Sequence, residues 1–158
     1  MSEARLLKIK SPLARQMHEP GGRTVQEAER RASLEIEVHR APAMAAIARS
    51  LDDLEALCVA AAPDAGPQVY ALASRIIDVG GYFDLGPLHN AVYSLCEIAD
   101  RMIGGGVWHW PSVEVHLRAA RLILAEDCRP SRTTETLLNG LRAVAARIPQ
   151  PGADDAAQ

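Results

Sequence analysis

Apolar positions along this chain return at intervals of four and three, the period of an amphipathic helix. The clearest run is Leu88, Val92, Leu95, Ala99 and Met102, opened by Gly86-Pro87 and closed by the glycines at 104 to 106. Ile47, Leu51, Leu54, Cys58 and Ala61 make an equally clean face between Pro42 and about Ala62. Val69, Leu72, Ala73, Ile76 and Gly80 place another helix from near Pro67 to the pair Gly80-Gly81. Val113, Leu117, Ala120 and Leu124 give a further one after Pro111. Leu137, Leu141, Val144 or Ala145, and Ile148 give the last. Proline suits the first turn of all but the last, because its missing N–H has no intrahelical partner there anyway. Adjacent glycines at a helix end allow a positive φ or a close backbone approach, so Gly80-Gly81 is expected to use one of these.

Upstream, Thr24-Val25-Gln26-Glu27 reads as a capping box, in which a threonine hydroxyl and a glutamate three residues on satisfy each other's backbone amides. It opens a helix to about Arg40 whose stripe, Ala28, Ala32 and Ile36, is weak. Ser131 or Thr133 is positioned to cap the last helix. No strand pattern and no internal repeat stands out. Connections are short, so consecutive helices are expected to be antiparallel neighbours. The predicted fold is all-α, an antiparallel, up-and-down helical bundle with a four-helix core and one or two extra helices. The bundle domain is expected over 23–149, after an arm over 1–22 broken by Pro12, Pro20, Gly21 and Gly22, and before a small polar tail over 150–158.

Composition narrows this further. Aromatic residues are 4% of the chain and Phe occurs once, while hydrophobic residues are 48%. A core so poor in rings is built from closely packed Ala, Leu, Ile and Val, which suits helices and works against a β-sandwich. It also excludes a ring platform for single-stranded nucleic acid. A net charge of −3 argues against nucleic acid as a partner. Lys8 and Lys10 are the only lysines among 17 basic residues; such an arginine-rich surface suits carboxylates and phosphoryl groups, although base composition of the gene explains it as well. Three cysteines without a CxxC pair indicate neither a disulfide framework nor a zinc ribbon. No apolar run approaches the roughly 20 residues of a membrane span, so no membrane insertion and a cytoplasmic location are expected.

Candidate chemistry is thin. There is no GxSxG, P-loop or GxGxxG, and Gly104 to Gly106 lie at a helix exit rather than an entrance that could cradle phosphate. His109 and His116 lack the spacing that sets two imidazoles on one helical face, so a metal site with Glu114 ranks last and no metal or other cofactor is expected. His89, one residue from the apolar seam, is expected to be partly buried and hydrogen-bonded, and Asp52-Asp53 to be solvated charge. Trp108 and Trp110 are expected to plug one end of the bundle.

One segment carries more. Ala73-Ser-Arg-Ile-Ile-Asp-Val-Gly-Gly-Tyr-Phe-Asp84, with the apolar helix after it, resembles the motif of histidine-containing phosphotransfer (HPt) domains, antiparallel helical bundles of two-component phosphorelays. In that family an exposed histidine is followed by Lys-Gly, small residues and a Phe-Gly at the helix end. Aligned on Gly80 and Gly81, Phe83 falls on the family's Phe, Ser74 on the phosphoaccepting histidine, Ile77 on the lysine and Asp78 on the glycine. The likeness extends over about residues 24 to 125. It implies a signalling bundle, and the departures imply one that has lost its chemistry. Ser74 forms a stable ester rather than a labile phosphoramidate, Ile77 removes the positive charge, and Asp78 repels an incoming phosphoryl group.

The expected function is therefore a non-enzymatic, HPt-like interaction module in bacterial two-component or chemotaxis-type signalling. It would dock a receiver domain or a histidine kinase through Tyr70, Ser74, Arg75, Ile77, Asp78 and Tyr82. Ile77, apolar and off the core stripe, motivates the docking patch. One alternative is an active phosphotransfer protein using His89 or His116. Another is a helical adaptor whose seams close on a second copy as a homodimer.

Overall fold

The computed structural model describes residues 24–150, so the expected arm over 1–22 and all of the tail beyond Gln150 lie outside the described residues. These residues form six helices and no strand: α1 (Val25–Val38), α2 (Arg40–Ala60), α3 (Gly66–Gly80), α4 (Gly86–Gly105), α5 (Trp110–Ala125) and α6 (Arg132–Ala145). The chain divides into two compact units after Val38.

In the first unit, α1 opens on the capping box read from the sequence. The Glu27 amide donates to Thr24 Oγ1 at 3.2 Å, and the Thr24 amide to Glu27 Oε2 at 3.1 Å. No residue of α1 is buried, which matches its weak apolar stripe.

The second unit, from His39 onward, is an all-α, up-and-down bundle. Helices α2, α3, α4 and α5 close a ring, each packed on its successor and α5 on α2, while α6 lies against both α4 and α5. Cross-contacts fix the directions. Gly66 approaches Ile103 and Trp108 at one end of the α3–α4 pair, and Gly80 approaches Leu85 at the other, so these helices are antiparallel. Ser94 meets His116 while the Met102 sulfur meets the His109 amide, so α4 and α5 are antiparallel too.

α4 is the central element because its apolar stripe is the widest. Leu88, Val92, Leu95, Ala99 and Met102 are all buried, and Ala91, Cys96 and Ile98 extend the stripe toward the flanking helices. Ile47, Leu51 and Leu54 of α2, Val69, Ala73 and Ile76 of α3, and Val113, Leu117 and Ile123 of α5 complete the core. Arg121 ties α5 to α2 from outside: it pairs with Asp52 and, at 2.7 Å, with Glu55. Asp52 is exposed as expected, and it is also an ion-pair partner.

Of the two uses expected of Gly80-Gly81, the structure shows close approach. Gly81 has φ −64°, and neither Gly80 nor Gly81 is in the left-handed region. Gly80 serves close approach, since a Cβ there would stand 3.3 Å from the Leu85 side chain. The glycine that forms a left-handed C-cap is Gly106, φ 68°, which ends α4 as glycine readily does. Ser131 caps α6, accepting from the Thr134 amide at 3.1 Å.

The tryptophans plug the end where α4 gives way to α5. Their rings stand edge to face at 5.4 Å, half-buried against the core. Gly66 makes room for them, because a Cβ there would lie 3.1 Å from both the Trp108 ring and Ile103. Gly66→Val is therefore expected to lower the unfolding free energy by about 2 kcal/mol through overpacking. Urea unfolding followed by tryptophan fluorescence checks this; an unchanged midpoint would show that the plug yields freely.

Candidate functional site

The residues singled out from sequence lie along α3 and just past its end. An α-helix sets positions four apart on one face, so Tyr70, Ser74 and Asp78 form a stripe with Ile77 beside it. Tyr70, Arg75, Asp78 and Tyr82 are exposed, with Tyr82 76% accessible. Ser74 and Ile77 are half-buried. Ile77 packs its inner side on the core while lining a shallow depression with Asp78, Val79, Gly81 and Tyr82. The structure thus gathers Ile77, Asp78 and Tyr82 at the C-terminal end of α3. Tyr70 stands further toward the helix start.

Ser74 turns partly inward rather than fully to solvent. Its hydroxyl lies 3.9 Å from the Cys96 sulfur of α4, a weak contact between neighbouring helices. Burial raises the Cys96 thiol pKa, the Ser74 contact opposing and the Asp78 charge adding to it. Cys58 behaves alike: burial, then the charges of Glu114 and Glu55, push its thiol up to about 11. Cys128 is also raised, mainly by burial. All three are free thiols whose protonated form burial favours.

The histidines separate sharply. His89 is exposed, not partly buried as expected, and its ring stacks on Tyr93 with centroids 6.3 Å apart. His116 is only 1% accessible. Its Nδ1 lies 2.7 Å from the Ser112 carbonyl, which can only accept, so Nδ1 carries the proton. Nε2 then accepts from the Ser94 hydroxyl at 3.0 Å. Burial lowers the His116 pKa, and the Ser112 carbonyl bond partly offsets this. His116 is a neutral, satisfied core residue sealed from any phosphoryl donor. Its position was legible: it falls three residues after Val113 and four before Ala120, on the inner stripe of α5. Reading that stripe through Leu124 instead of the fully buried Ile123 hid it.

Among the described residues, no three His, Cys, Asp or Glu side chains form a group able to hold a metal ion. No described helix is long and apolar enough to cross a membrane. Compared with known protein families, with curated proteins and with solved structures, the chain shows no match.

Proposed function

We propose that this protein is a non-catalytic, HPt-like docking module acting in the cytoplasm in bacterial two-component or chemotaxis-type signalling. It binds a receiver domain or a histidine kinase through the outer face of α3 and does not relay phosphate. The observation that carries this reading is the patch at the end of α3. An apolar Ile77 and a 76% exposed Tyr82 flank Asp78 beside Ser74, at the place where the HPt motif puts its reactive imidazole and cation. An exposed aromatic next to an apolar depression is the composition of an interface hot spot. A half-buried serine turned toward Cys96, with Asp78 one turn away, offers no labile phosphoacceptor.

Titrating the full chain against the receivers and kinases of its host tests this. Ile77→Asp and Tyr82→Ala are each expected to weaken binding by about tenfold or more, as loss of a central anchor does. The exposed Tyr82 serves as the control for the half-buried Ile77, since its removal leaves the core intact. Binding that survives both changes would overturn the assignment of this face.

One observation favours a second reading, phosphotransfer through an atypical histidine. His89 stands in solvent on the first turn of α4. If it accepts phosphate, incubation with a phosphorylated receiver yields an acid-labile phosphoprotein that His89→Ala abolishes. A blank removes this reading and leaves the docking module.

A further inference from the structure

A cavity of about 560 Å³ opens where the end of α4, the connector after it, the start of α5 and the end of α6 converge. It lies at the opposite end of α4 from the Ile77–Tyr82 patch, so its role is separate from the docking reading. Its walls are Met102, Val107, Val115, Val144 and Ile148, with prolines 111 and 149 at the edge. The volume falls within the range of about 300 to 1,000 Å³ usual for small-molecule sites.

The charged side chains at this cavity are arginines. Among the described residues, Arg101, His109, Ser112 and Arg147 line it, and no carboxylate does. Arg101 is already engaged, donating to the Ala145 carbonyl at 3.0 Å and pairing with Glu97 on its other side. His109 Nδ1 is held 2.8 Å from the Ser112 hydroxyl, which leaves its Nε2 side free. Arg147 has no ion pair and no side-chain hydrogen bond among the described residues. An apolar hollow edged by a guanidinium that has no ion pair among the described residues is complementary to an apolar body ending in an anion. A guanidinium fork binds a carboxylate in particular through two parallel hydrogen bonds.

We propose that this cavity binds a small amphiphilic carboxylate of the medium-chain fatty-acid type. Its chain lies against Met102, Val115, Val144 and Ile148, and its head group meets Arg147. The chain's burial supplies most of the affinity and the arginine supplies the choice of head group.

Calorimetric titration of the full chain with decanoate, decan-1-ol and decylamine, each kept below its micelle concentration or solubility limit, tests this. One-to-one saturable binding is expected, with decanoate several-fold tighter than the alcohol and the amine weakest. Arg147→Glu, an exposed change that leaves the fold intact, is expected to weaken decanoate by about fivefold and to remove its advantage over the alcohol. Val144→Trp, which fills the hollow, is expected to abolish binding of all three; circular dichroism checks that this half-buried position still folds. No saturable binding of decanoate would overturn the proposal, as would equal affinity for acid and amine or indifference to Arg147→Glu. So would concentration-dependent dimerisation that excludes decanoate, since a second copy would then be the occupant.

Discussion

Replacing His116 by alanine is expected to lower the unfolding free energy by about 3 kcal/mol, one of the largest single effects available in this bundle. The imidazole is 1% accessible and sits between α4 and α5, so its removal leaves a cavity where two core helices meet. The Ser94 hydroxyl also loses its acceptor in a half-buried setting. Cavity formation and an unpaired polar group act in the same direction. The same residue gives stability a pH dependence of known sign. In the fold its pKa lies below the ordinary 6.5, because burial disfavours the imidazolium. The unfolded chain, whose histidine is ordinary, therefore takes up the proton first as pH falls. His116's contribution is fully present above the unfolded value of 6.5 and is lost progressively below it, at no more than about 1.4 kcal/mol per pH unit. Denaturant midpoints at about pH 7.5 and about pH 5.5 are expected to fall with pH in the native chain, and less steeply in His116→Leu. Parallel slopes in the two proteins would show that His116 is not the group responsible.

Leu95→Ala is expected to cost about 3 kcal/mol as well, for a purely apolar reason. Leu95 is 1% accessible at the middle of α4, the helix that touches α3, α5 and α6. Losses of buried leucine to alanine run from about 2 to 5 kcal/mol, the higher values where neighbours cannot collapse into the space. A fully buried side chain on the helix that packs against all these neighbours leaves little room for such collapse. Leu122→Ala, on an exposed face of α5 at 54% accessibility, is the control and is expected to change stability by less than about 0.5 kcal/mol. Thermal or urea unfolding of both variants checks the contrast; equal losses would contradict the placement of α4 at the centre.

Much of this architecture is written in local pattern. The four-three spacing of Leu88 to Met102 marks the central helix because a wide apolar stripe has nowhere to go but inward. Thr24 with Glu27, and Ser131 ahead of α6, announce helix starts because capping is satisfied within one turn of sequence. What escaped was long-range. Asp52 reads as solvated charge until α5 brings Arg121 across to it from 69 residues away. Gly80-Gly81 allows a left-handed turn or a close approach, and only Leu85 packing on Gly80 decides for the second. His89 looks half-buried on a helical wheel, yet only the crossing of neighbouring helices decides whether that side is covered. The face of α3 was legible in part. Of the stripe Tyr70, Ser74 and Asp78, Tyr70 and Asp78 are exposed as their four-residue spacing implies, while Ser74 is drawn toward Cys96 by the close packing of α3 on α4.

The most direct test of the central claim joins docking to the lack of transfer in one experiment. Each receiver domain of the host, phosphorylated with radiolabelled acetyl phosphate, is titrated with the full chain, and the label is followed on both proteins. The docking account predicts saturable binding to at least one receiver or its kinase, weakened about tenfold or more by Tyr82→Ala, with no acid-labile phosphate appearing on this chain. Binding indifferent to Tyr82 and Ile77, or phosphate arriving on His89, would contradict it.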